Sequence, residues 1–392
     1  MKFEHLEKEL TYLRQKYLYR QPKTFQPISA THIQHNGKQF LMLAFNNYLG
    51  LTHHPAVQKA ALTAINRYGT GSGGSRLISG SHPLFAELER DLADFKHTER
   101  ALIFNTGYMA NVSTISTLVS KNDFILSDEL NHASIIDGCR LSRAQCFIYR
   151  HKDINQVKKI LQNLPANRTT LIITDSIFSM NGDIAPLEEL SFLAEKYNAL
   201  LMVDDAHATG VLGNGHGSAE HFHLQGKIDI QLGTLSKSLA SVGGFVAGKK
   251  ILIEYLINKS RGYIFSTALS PADIASAKEA LHIISTDTSF VQKLWQNVCY
   301  LKKALLKYGI VINSDTPIMP IIVHDNEKAL QIEHSLYNRG IILSAVRPPT
   351  VAPNESRLRL TVTAAHSFTD LDFAAEELGM ALENLSCADS KS

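Results

Sequence analysis

Short apolar runs alternate with longer amphipathic stretches between residues 100 and 250. The runs have the length of buried strands, and the stretches between them have the length of helices. This alternation predicts an α/β domain with a mostly parallel sheet. The predicted strands are Ala101–Phe104, Phe124–Ser127, Cys146–Tyr149, Leu171–Thr174, Leu200–Val203, Ile228–Leu232 and Phe245–Ala247.

The pattern changes after residue 285. A helix is predicted around Trp295–Tyr308, and short apolar runs separated by helical stretches follow it, which indicates a smaller α+β domain. We therefore divide the chain into a helical or extended N-terminal segment (1–45), a large domain (46–285) and a C-terminal domain (286–392). The predicted strands of the last domain are Ile310–Ile312, Pro320–Val323, Ile341–Val346 and Leu358–Val362.

Composition and charge exclude several classes of protein. The net charge is +2, from 39 basic and 37 acidic residues spread along the chain, so no footprint for nucleic acid is evident. The first ten residues are too charged for a signal peptide, and no apolar run is long enough to span a membrane. The four cysteines are scattered and lack metal-binding spacing. We expect a cytoplasmic protein that acts on small molecules, without nucleic acid or membrane partners.

Chemically versatile residues follow most of the predicted strands. In open α/β sheets, ligands bind outside the carboxyl ends of the strands, so these positions are the first to inspect. They are Gly107 and Tyr108 after the first run, His132 after the second, Ser179 after the fourth, Asp204 and His207 after the fifth, and Thr234 and Lys237 after the sixth.

Lys237 is the strongest candidate for a reactive group. A lysine held near a cofactor can lose its proton and form a Schiff base with an aldehyde, and a buried carboxylate such as Asp204 can pair with a pyridinium nitrogen. The pair indicates pyridoxal phosphate (PLP). The P-loop pattern G-x-x-x-x-G-K-[ST] is absent, and Asp204 with His207 lacks a third metal ligand at a known spacing.

Two further features favour ligand binding over a purely structural role. The glycine-rich segment 69–76 is short and flanked by predicted helices, which favours an active-site loop over a flexible linker. In the C-terminal domain, Arg357 and Arg359 lie on a predicted strand, where a guanidinium could hold a carboxylate bidentately. The alternative is a solvated edge strand, which we expect to describe one of these two arginines.

Eight segments together carry a family resemblance. They are Asn46–Leu51, Gly71–Gly80, Asn105–Asn111, Asn131–Ser134, Asp175–Asp183, Val203–His207, Gly233–Lys237 and Phe265–Ala268. In this order they resemble the α-oxoamine synthases across nearly the whole chain. The resemblance implies the fold type I architecture of PLP-dependent transferases: a large domain with a mostly parallel sheet flanked by helices, and a smaller α+β C-terminal domain.

The resemblance also assigns roles to single residues. Lys237 forms the Schiff base and later transfers protons, Asp204 pairs with the pyridine nitrogen, and His132 stacks on the ring. Ser179 and His207 bond the phenolic oxygen. The phosphate contacts are Gly107, Tyr108, Thr234 and, across the interface of a homodimer with its active site there, Ser266 and Thr267.

Substrate contacts follow in the same way. Arg359, with Asn46, is expected to hold the amino-acid carboxylate, and Arg20, Arg347 and Thr350 are expected to contact the acyl substrate. The segment 347–351 is most similar to members that condense L-alanine with a pimeloyl thioester, carried on coenzyme A or an acyl carrier protein, in biotin biosynthesis. The alternatives are a member that uses glycine or serine, one that makes long-chain aminoketones, and a non-catalytic subunit of the same fold.

The chain departs from the family pattern at four positions. The family commonly has aspartate where Asn47 stands, a small serine near Phe45, and glycine where Ala208 and Ala240 stand. We expect these departures to affect the fit of the substrate more than the binding of the cofactor.

Overall fold

The chain folds into two compact units in the computed structural model, which describes residues 2–389. The terminal unit comprises Met1–Tyr48, Met180–Gly182 and Lys293–Ser392, and the central unit comprises Leu49–Ser179 and Asp183–Gln292. The three-segment division made from the sequence stays a prediction.

The helices and strands are numbered in chain order. The helices are α1 (Glu4–Gln15), α2 (Pro55–Tyr68), α3 (Pro83–Phe95), α4 (Gly107–Leu118), α5 (Ala133–Ser142), α6 (Ile154–Gln162), α7 (Leu187–Lys196), α8 (Ser218–His221), α9 (Lys250–Lys259), α10 (Arg261–Ile264), α11 (Pro271–Thr286), α12 (Ser289–Leu306), α13 (Asn326–Asn338) and α14 (Phe368–Asp389). The strands are β1 (Gln26–Pro27), β2 (His32–His35), β3 (Lys38–Met42), β4 (Arg100–Phe104), β5 (Phe124–Asp128), β6 (Gln145–Tyr149), β7 (Thr170–Asp175), β8 (Leu200–Asp204), β9 (Ile230–Thr234), β10 (Gly244–Gly248), β11 (Ile318–His324), β12 (Ile341–Ile342), β13 (Ser344–Val346) and β14 (Ser356–Thr361). Between residues 2 and 389, none of these helices has both the length and the hydropathy that crossing a bilayer requires.

The central unit contains a seven-stranded sheet in the order β4-β10-β9-β8-β7-β5-β6. Strands β5 to β9 pair in parallel, and β10 pairs antiparallel with both β9 and β4. Strand β4 therefore runs in the same direction as the parallel strands. The mostly parallel sheet predicted from the sequence is confirmed, although the strand predicted from Ile228 begins two residues later, at Ile230.

Both faces of this sheet are buried, which explains why its strands are apolar throughout rather than alternating. On β7, Leu171 and Ile173 belong to one hydrophobic cluster and Ile172 belongs to the other. Successive side chains of a strand point to opposite faces, so the helices that cover the two faces each receive part of every strand. Burial on both sides fixes the register of the strands and the position of their ends.

A buried ion pair lies beneath the chain that leaves β8. Lys96 Nζ lies 2.8 Å from Asp205 Oδ2 and donates to the carbonyl of His216 at 2.6 Å. Asp205 also accepts a hydrogen bond from the backbone N–H of Ser218 at 3.0 Å. The Lys96 side chain is 0% exposed and the Asp205 side chain is 1% exposed, so each charge depends on the other for its stability.

The terminal unit contains two small sheets, in the orders β1-β2-β3-β12 and β11-β14-β13. The predicted strand at Ile310–Ile312 is wrong. The chain leaves α12 through Gly309, whose φ of 72° is left-handed, and the N–H of Ile310 bonds back to the carbonyl of Leu305 at 3.1 Å. These apolar residues therefore close the end of a helix instead of entering a sheet.

The edge strand expected near the C-terminus is also wrong. Strand β14 pairs with β11 on one side and β13 on the other, so it is the central strand of its sheet. Arg357 is 4% exposed and Arg359 is 6% exposed, so both arginines are buried. Arg357 bonds Asn181 Oδ1 at 2.6 Å and Glu355 Oε2 at 2.9 Å. Its role is to tie the segment 180–182 to this sheet.

Replacing Lys96 with methionine should destabilise the protein by about 3–5 kcal/mol, because the Asp205 carboxylate stays buried without its counter-charge. The change is measured as the shift of the urea or thermal unfolding midpoint. Lys250→Met is the matched control, since Lys250 is 64% exposed in its pair with Glu254 and should matter little. Equal shifts in the two variants would contradict this account, and adding Asp205→Asn to Lys96→Met should recover part of the loss.

Candidate active site

The predicted cofactor residues of the central unit lie at one edge of its sheet. Strands β4, β5, β7, β8 and β9 run in the same direction, so their carboxyl ends meet there. Each predicted residue follows one of these ends. They are Gly107 and Tyr108 after β4, His132 after β5, Ser179 after β7, Asp204 and His207 at and after β8, and Thr234 and Lys237 at and after β9.

Lys237 and His207 are in direct contact. The Lys237 Nζ lies 2.8 Å from the Nε2 of His207, and His207 is 7% exposed. An ammonium group can only donate, so a protonated Lys237 requires Nε2 of His207 to accept. The contact fixes the position of the amine at the end of the flexible Lys237 side chain. An amine that reacts with the aldehyde of a bound cofactor needs such a fixed position.

Asp204 is a buried carboxylate with two N–H donors. Its Oδ2 accepts from Asn111 Nδ2 at 2.6 Å, and its Oδ1 accepts from the backbone N–H of Ala206 at 2.9 Å. On the neighbouring strand, Asp175 lies in register with Asp204, and its Oδ2 accepts from the N–H of His132 at 2.7 Å. Burial and the charge of Asp204 raise the pKa of Asp175 well above its usual range. Asp204, with its two N–H donors, is the carboxylate of the pair that suits a cationic partner.

The start of α4 offers N–H groups to an anion. Thr106 caps this helix by accepting from the N–H of Met109 at 3.0 Å, which leaves the amides at Gly107 and Tyr108 without partners inside the helix. A Cβ on Gly107 would lie 3.3 Å from the Cβ of Thr234, so a glycine keeps this approach open. The donors and the Thr234 hydroxyl suit a phosphate.

Ser266 and Thr267 lie close to the same helix within one chain. The Oγ of Ser266 contacts the sulfur of Met109 at 3.7 Å, and the carbonyl of Thr267 accepts from Asn105 Nδ2 at 2.6 Å. Ser179 lies in the turn after β7, where an Ile177–Ile184 bridge closes the loop. The donor set of the central unit thus fits PLP: an amine for the aldehyde, an anion for the pyridinium, and N–H and hydroxyl donors for the phosphate.

The predicted substrate residues belong to the terminal unit. Arg359 donates to Asn46 Oδ1 at 3.0 Å and to Thr361 Oγ1 at 2.9 Å. Burial, opposed by Arg359, raises the pKa of Tyr48 to about 12. Tyr48 therefore stays neutral, and Arg359 carries the positive charge of this cluster.

Arg20, Arg347 and Thr350 form a second group in the terminal unit. Arg20 donates to the carbonyl of Pro348 at 2.9 Å, Arg347 donates to the carbonyl of Tyr17, and the N–H of Thr350 bonds the carbonyl of Arg347 at 3.1 Å. Burial and the neighbouring charge of Arg20 lower the pKa of Arg347. Two guanidinium groups held this close favour an anionic ligand.

Comparisons with known proteins agree with this donor set. The model of the class I and II aminotransferase family matches residues 38–378. The chain is 46% identical over 374 residues to 8-amino-7-oxononanoate synthase from Thermoanaerobacter pseudethanolicus, covering 95% of each chain. It is 42% identical over 376 residues to 8-amino-7-oxononanoate synthase 1 from Bacillus subtilis, covering 95% of this chain and 96% of that one.

The chain belongs to the α-oxoamine synthases, within the class I and II aminotransferase family. Enzymes of this family depend on PLP. Among solved structures, serine palmitoyltransferase from S. paucimobilis with a bound PLP–myriocin aldimine has a TM-score of 0.93 at 32% identity, covering 98% of both chains. The 8-amino-7-oxononanoate synthase from Francisella tularensis has a TM-score of 0.76 at 28% identity, covering 88% of this chain and 99% of that one.

One departure from the family pattern has a visible cost in this α-oxoamine synthase. Ala240, where glycine is common, has a φ of 54°, and its N–H bonds the carbonyl of Lys237 at 3.1 Å. A left-handed conformation costs a residue with a Cβ roughly 1–2 kcal/mol, which explains why glycine suits this position. Ala208 is fully buried, and nothing in the structure explains why alanine stands there instead of glycine. No group of three metal-ligating side chains is present among residues 2–383.

His151, which the sequence analysis missed, connects the loop after β5, which carries His132, with the loop after β7, which carries Ser179. Its Nδ1 lies 3.0 Å from Oδ1 of Asp128, the last residue of β5. Its Nε2 lies 2.7 Å from Oδ2 of Asp183, in the loop after β7. His151 follows the third predicted strand, Cys146–Tyr149, so inspecting the residue after every strand would have found it. Burial opposes the charged ring, but hydrogen bonds and the charges of the two carboxylates outweigh it and raise the pKa of His151 to about 9.

His151 should stabilise the protein in a pH-dependent way. Its pKa in the folded chain lies above the ordinary value of 6.5, so its contribution is complete below pH 6.5 and is lost as the pH rises through about 9. A rise of this size corresponds to a stability difference of up to about 3 kcal/mol. His151→Gln should therefore be much less stable than the wild type at pH 6 and closer to it at pH 10, by urea unfolding. A gap that widens with pH would contradict the charged pair.

Proposed function

We propose that this enzyme condenses L-alanine with a pimeloyl thioester to give 8-amino-7-oxononanoate, carbon dioxide and a free thiol, as a step of biotin biosynthesis. The Lys237–His207 contact beside the buried Asp204 is the observation that carries the lysine chemistry. The substrate assignment rests on the high identity to relatives named 8-amino-7-oxononanoate synthase and on the segment 347–351. The thioester arrives on coenzyme A or on an acyl carrier protein.

Each cofactor contact would have one task. Lys237 would hold PLP through its aldehyde, Asp204 would accept a hydrogen bond from the pyridinium N–H, and His207 and Ser179 would bond the phenolic oxygen. The amides at the start of α4 and the Thr234 hydroxyl would hold the phosphate. When bound, the cofactor supplies an electron sink for the negative charge left on the amino acid.

The remaining steps fall to side chains of the chain itself. Lys237 removes the α-proton of alanine and later returns a proton to the product, because its amine lies among the cofactor contacts. His132 donates a hydrogen bond to the acyl oxygen as negative charge develops there. Arg359 binds the alanine carboxylate, and Asn46 holds the guanidinium in place through its Oδ1.

Arg20 and Arg347 provide the contact for the far end of the acyl chain. A pimeloyl group ends in a carboxylate, and two guanidinium groups held together at this place would gain a counter-charge by binding it. The Nε of Arg347 is buried and has no hydrogen-bond partner among the described residues, so an anion there would also satisfy a buried donor. Thr350 is exposed beside them and completes the contact.

The proposal includes a homodimer in the cytoplasm. Ser266 and Thr267 would contact the phosphate across the dimer interface, and the exposed apolar side chains of Ile78 (86% exposed) and Phe265 (70% exposed) support such an interface. Cys139 and Cys146 are free thiols, as a reducing compartment would leave them.

A serine-using synthase is the second candidate, because the fold matches that of serine palmitoyltransferase with the higher TM-score. The higher sequence identity to relatives named 8-amino-7-oxononanoate synthase favours the alanine reaction instead.

Lys237→Ala should abolish the visible absorption band of the Schiff base between the lysine and the cofactor, and it should reduce product formation by on the order of 10²–10⁴-fold, because no other amine replaces the base. Product is measured by mass spectrometry after incubation with PLP, L-alanine and pimeloyl-CoA. The control is Lys249→Ala, which removes an exposed lysine of the same unit. If Lys237→Ala kept the band and the product, the assignment of the lysine would be wrong; if the wild type made no product, the proposed reaction would be wrong.

Arg20→Ala should lower kcat/KM for pimeloyl-CoA by about 10- to 100-fold, the loss expected for a hydrogen bond to a charged group. Octanoyl-CoA, whose chain end is uncharged, should show no more than about a twofold change, since it gives the arginine no carboxylate to bind. Arg14→Ala, an exposed arginine in the same unit, is the control. A similar loss with both thioesters would refute the carboxylate contact.

A further inference from the structure

Hydrogen bonds connect Asp204 with the ring of His132 through two residues that have no assigned role. The Nδ2 of Asn111, on α4, lies 2.6 Å from Asp204 Oδ2 and 3.0 Å from the Oγ of Ser134. The same Ser134 Oγ lies 2.7 Å from Nδ1 of His132. Asn111 is 1% exposed and Ser134 is 0% exposed, whereas His132 is exposed. The connection therefore begins at a buried anion and ends at an accessible ring.

The direction of the first two bonds follows from the carboxylate. An ionised carboxylate only accepts, so Asn111 must turn its Nδ2 toward Asp204, because its Oδ1 would be repelled there. The two N–H bonds of that nitrogen then serve Asp204 and Ser134. The Oδ1 of Asn111 has no partner among the described residues, a cost that indicates how strongly the other side of the amide is held.

The direction of the third bond follows from the first two. Ser134 Oγ accepts from Asn111, so its own hydrogen is available to donate to Nδ1 of His132. The backbone N–H of Ser134 also points at this Nδ1, at 3.3 Å. An amide N–H can only donate, so both contacts require Nδ1 to accept and therefore to carry no proton. A neutral His132 then has its proton on Nε2.

We propose that Asn111 and Ser134 are positioning residues that keep His132 in the neutral form with its proton on Nε2. This inference rests on the proposed function, in which His132 donates a hydrogen bond to the acyl oxygen of the substrate. Only a protonated Nε2 can make that bond while Nδ1 is occupied by Ser134. Aligned bonds in such a chain polarise one another, so the charge of Asp204 strengthens the hold on the ring.

The groups that face His132 agree with a neutral ring. Partial enclosure by the protein lowers the pKa of His132; the charge of Asp204 opposes this effect, and the charge of Lys237 adds to it. Asp175 accepts a hydrogen bond from the backbone N–H of His132 and not from its ring. The ring of Tyr108 lies edge-on at 6.3 Å and brings no charge under ordinary conditions.

The test reads the tautomer directly. Full-length protein labelled with ¹⁵N in its histidine side chains is examined by NMR with PLP bound and again after the cofactor has been removed, and the His132 signals are those missing in His132→Asn. We expect a protonated Nε2 and an unprotonated Nδ1 in both samples at neutral pH. A proton on Nδ1, or a mixture of both tautomers, in the wild type would overturn the inference.

Ser134→Ala provides the second readout. It should convert the His132 signal into a mixture of tautomers and lower kcat/KM about tenfold, while Ser134→Thr, which keeps the hydroxyl, should restore both. Thr114→Val is the matched control: Thr114 is 0% exposed on the same α4, and its Oγ1 has no partner among the described residues. An unchanged His132 signal in folded Ser134→Ala would refute the role of the hydroxyl. Product formation by the wild type is measured separately. A wrong proposal for the reaction can therefore be distinguished from a wrong assignment of the His132 tautomer.

Discussion

The buried charge of Asp204 is the constraint on which the rest of the central unit depends. Its strand and the neighbouring strand both end in aspartates that lie in register, and burial together with the charge of Asp204 raises the pKa of Asp175 well above its usual range. Asn111 and the backbone of Ala206 donate hydrogen bonds to the Asp204 carboxylate, and Asp175 accepts a hydrogen bond from the backbone N–H of His132. A pyridinium partner therefore has one defined place to bind.

The two units contribute different chemistry. The central unit holds the groups that suit a cofactor, on loops whose positions are fixed by strands buried on both faces. The terminal unit holds all five residues expected to bind substrate. They form two arginine-containing groups, one of Arg359 with Asn46 and one of Arg20 with Arg347 and Thr350. Cofactor chemistry and substrate choice can thus change separately, which is how one fold serves several α-oxoamine synthases.

Most of this fold follows from local patterns, and the exceptions have physical causes. The apolar strands of the central unit were predictable because both of their faces are buried. Strands β1 to β3 were missed, since they are short and carry polar residues such as Gln34 and Lys38. The contacts of Asn111 with Asp204 and with Ser134 join residues far apart in the chain, and no spacing in the sequence indicates them. The position of His151 after a predicted strand marks it for inspection, but its contact with Asp183 is not evident from the sequence. The burial of Arg357 was missed for the same reason, because its partner Asn181 comes from a distant loop.

The choice of amino acid tests the central claim most directly. The measurement is kcat/KM of the purified enzyme for L-alanine, glycine and L-serine, each with pimeloyl-CoA as the acyl donor. The account predicts that L-alanine is preferred by at least about tenfold, the size of effect that one methyl or hydroxyl group has in a fitted pocket. A preference for glycine or L-serine would contradict the biotin-pathway assignment while leaving the fold and the lysine chemistry intact.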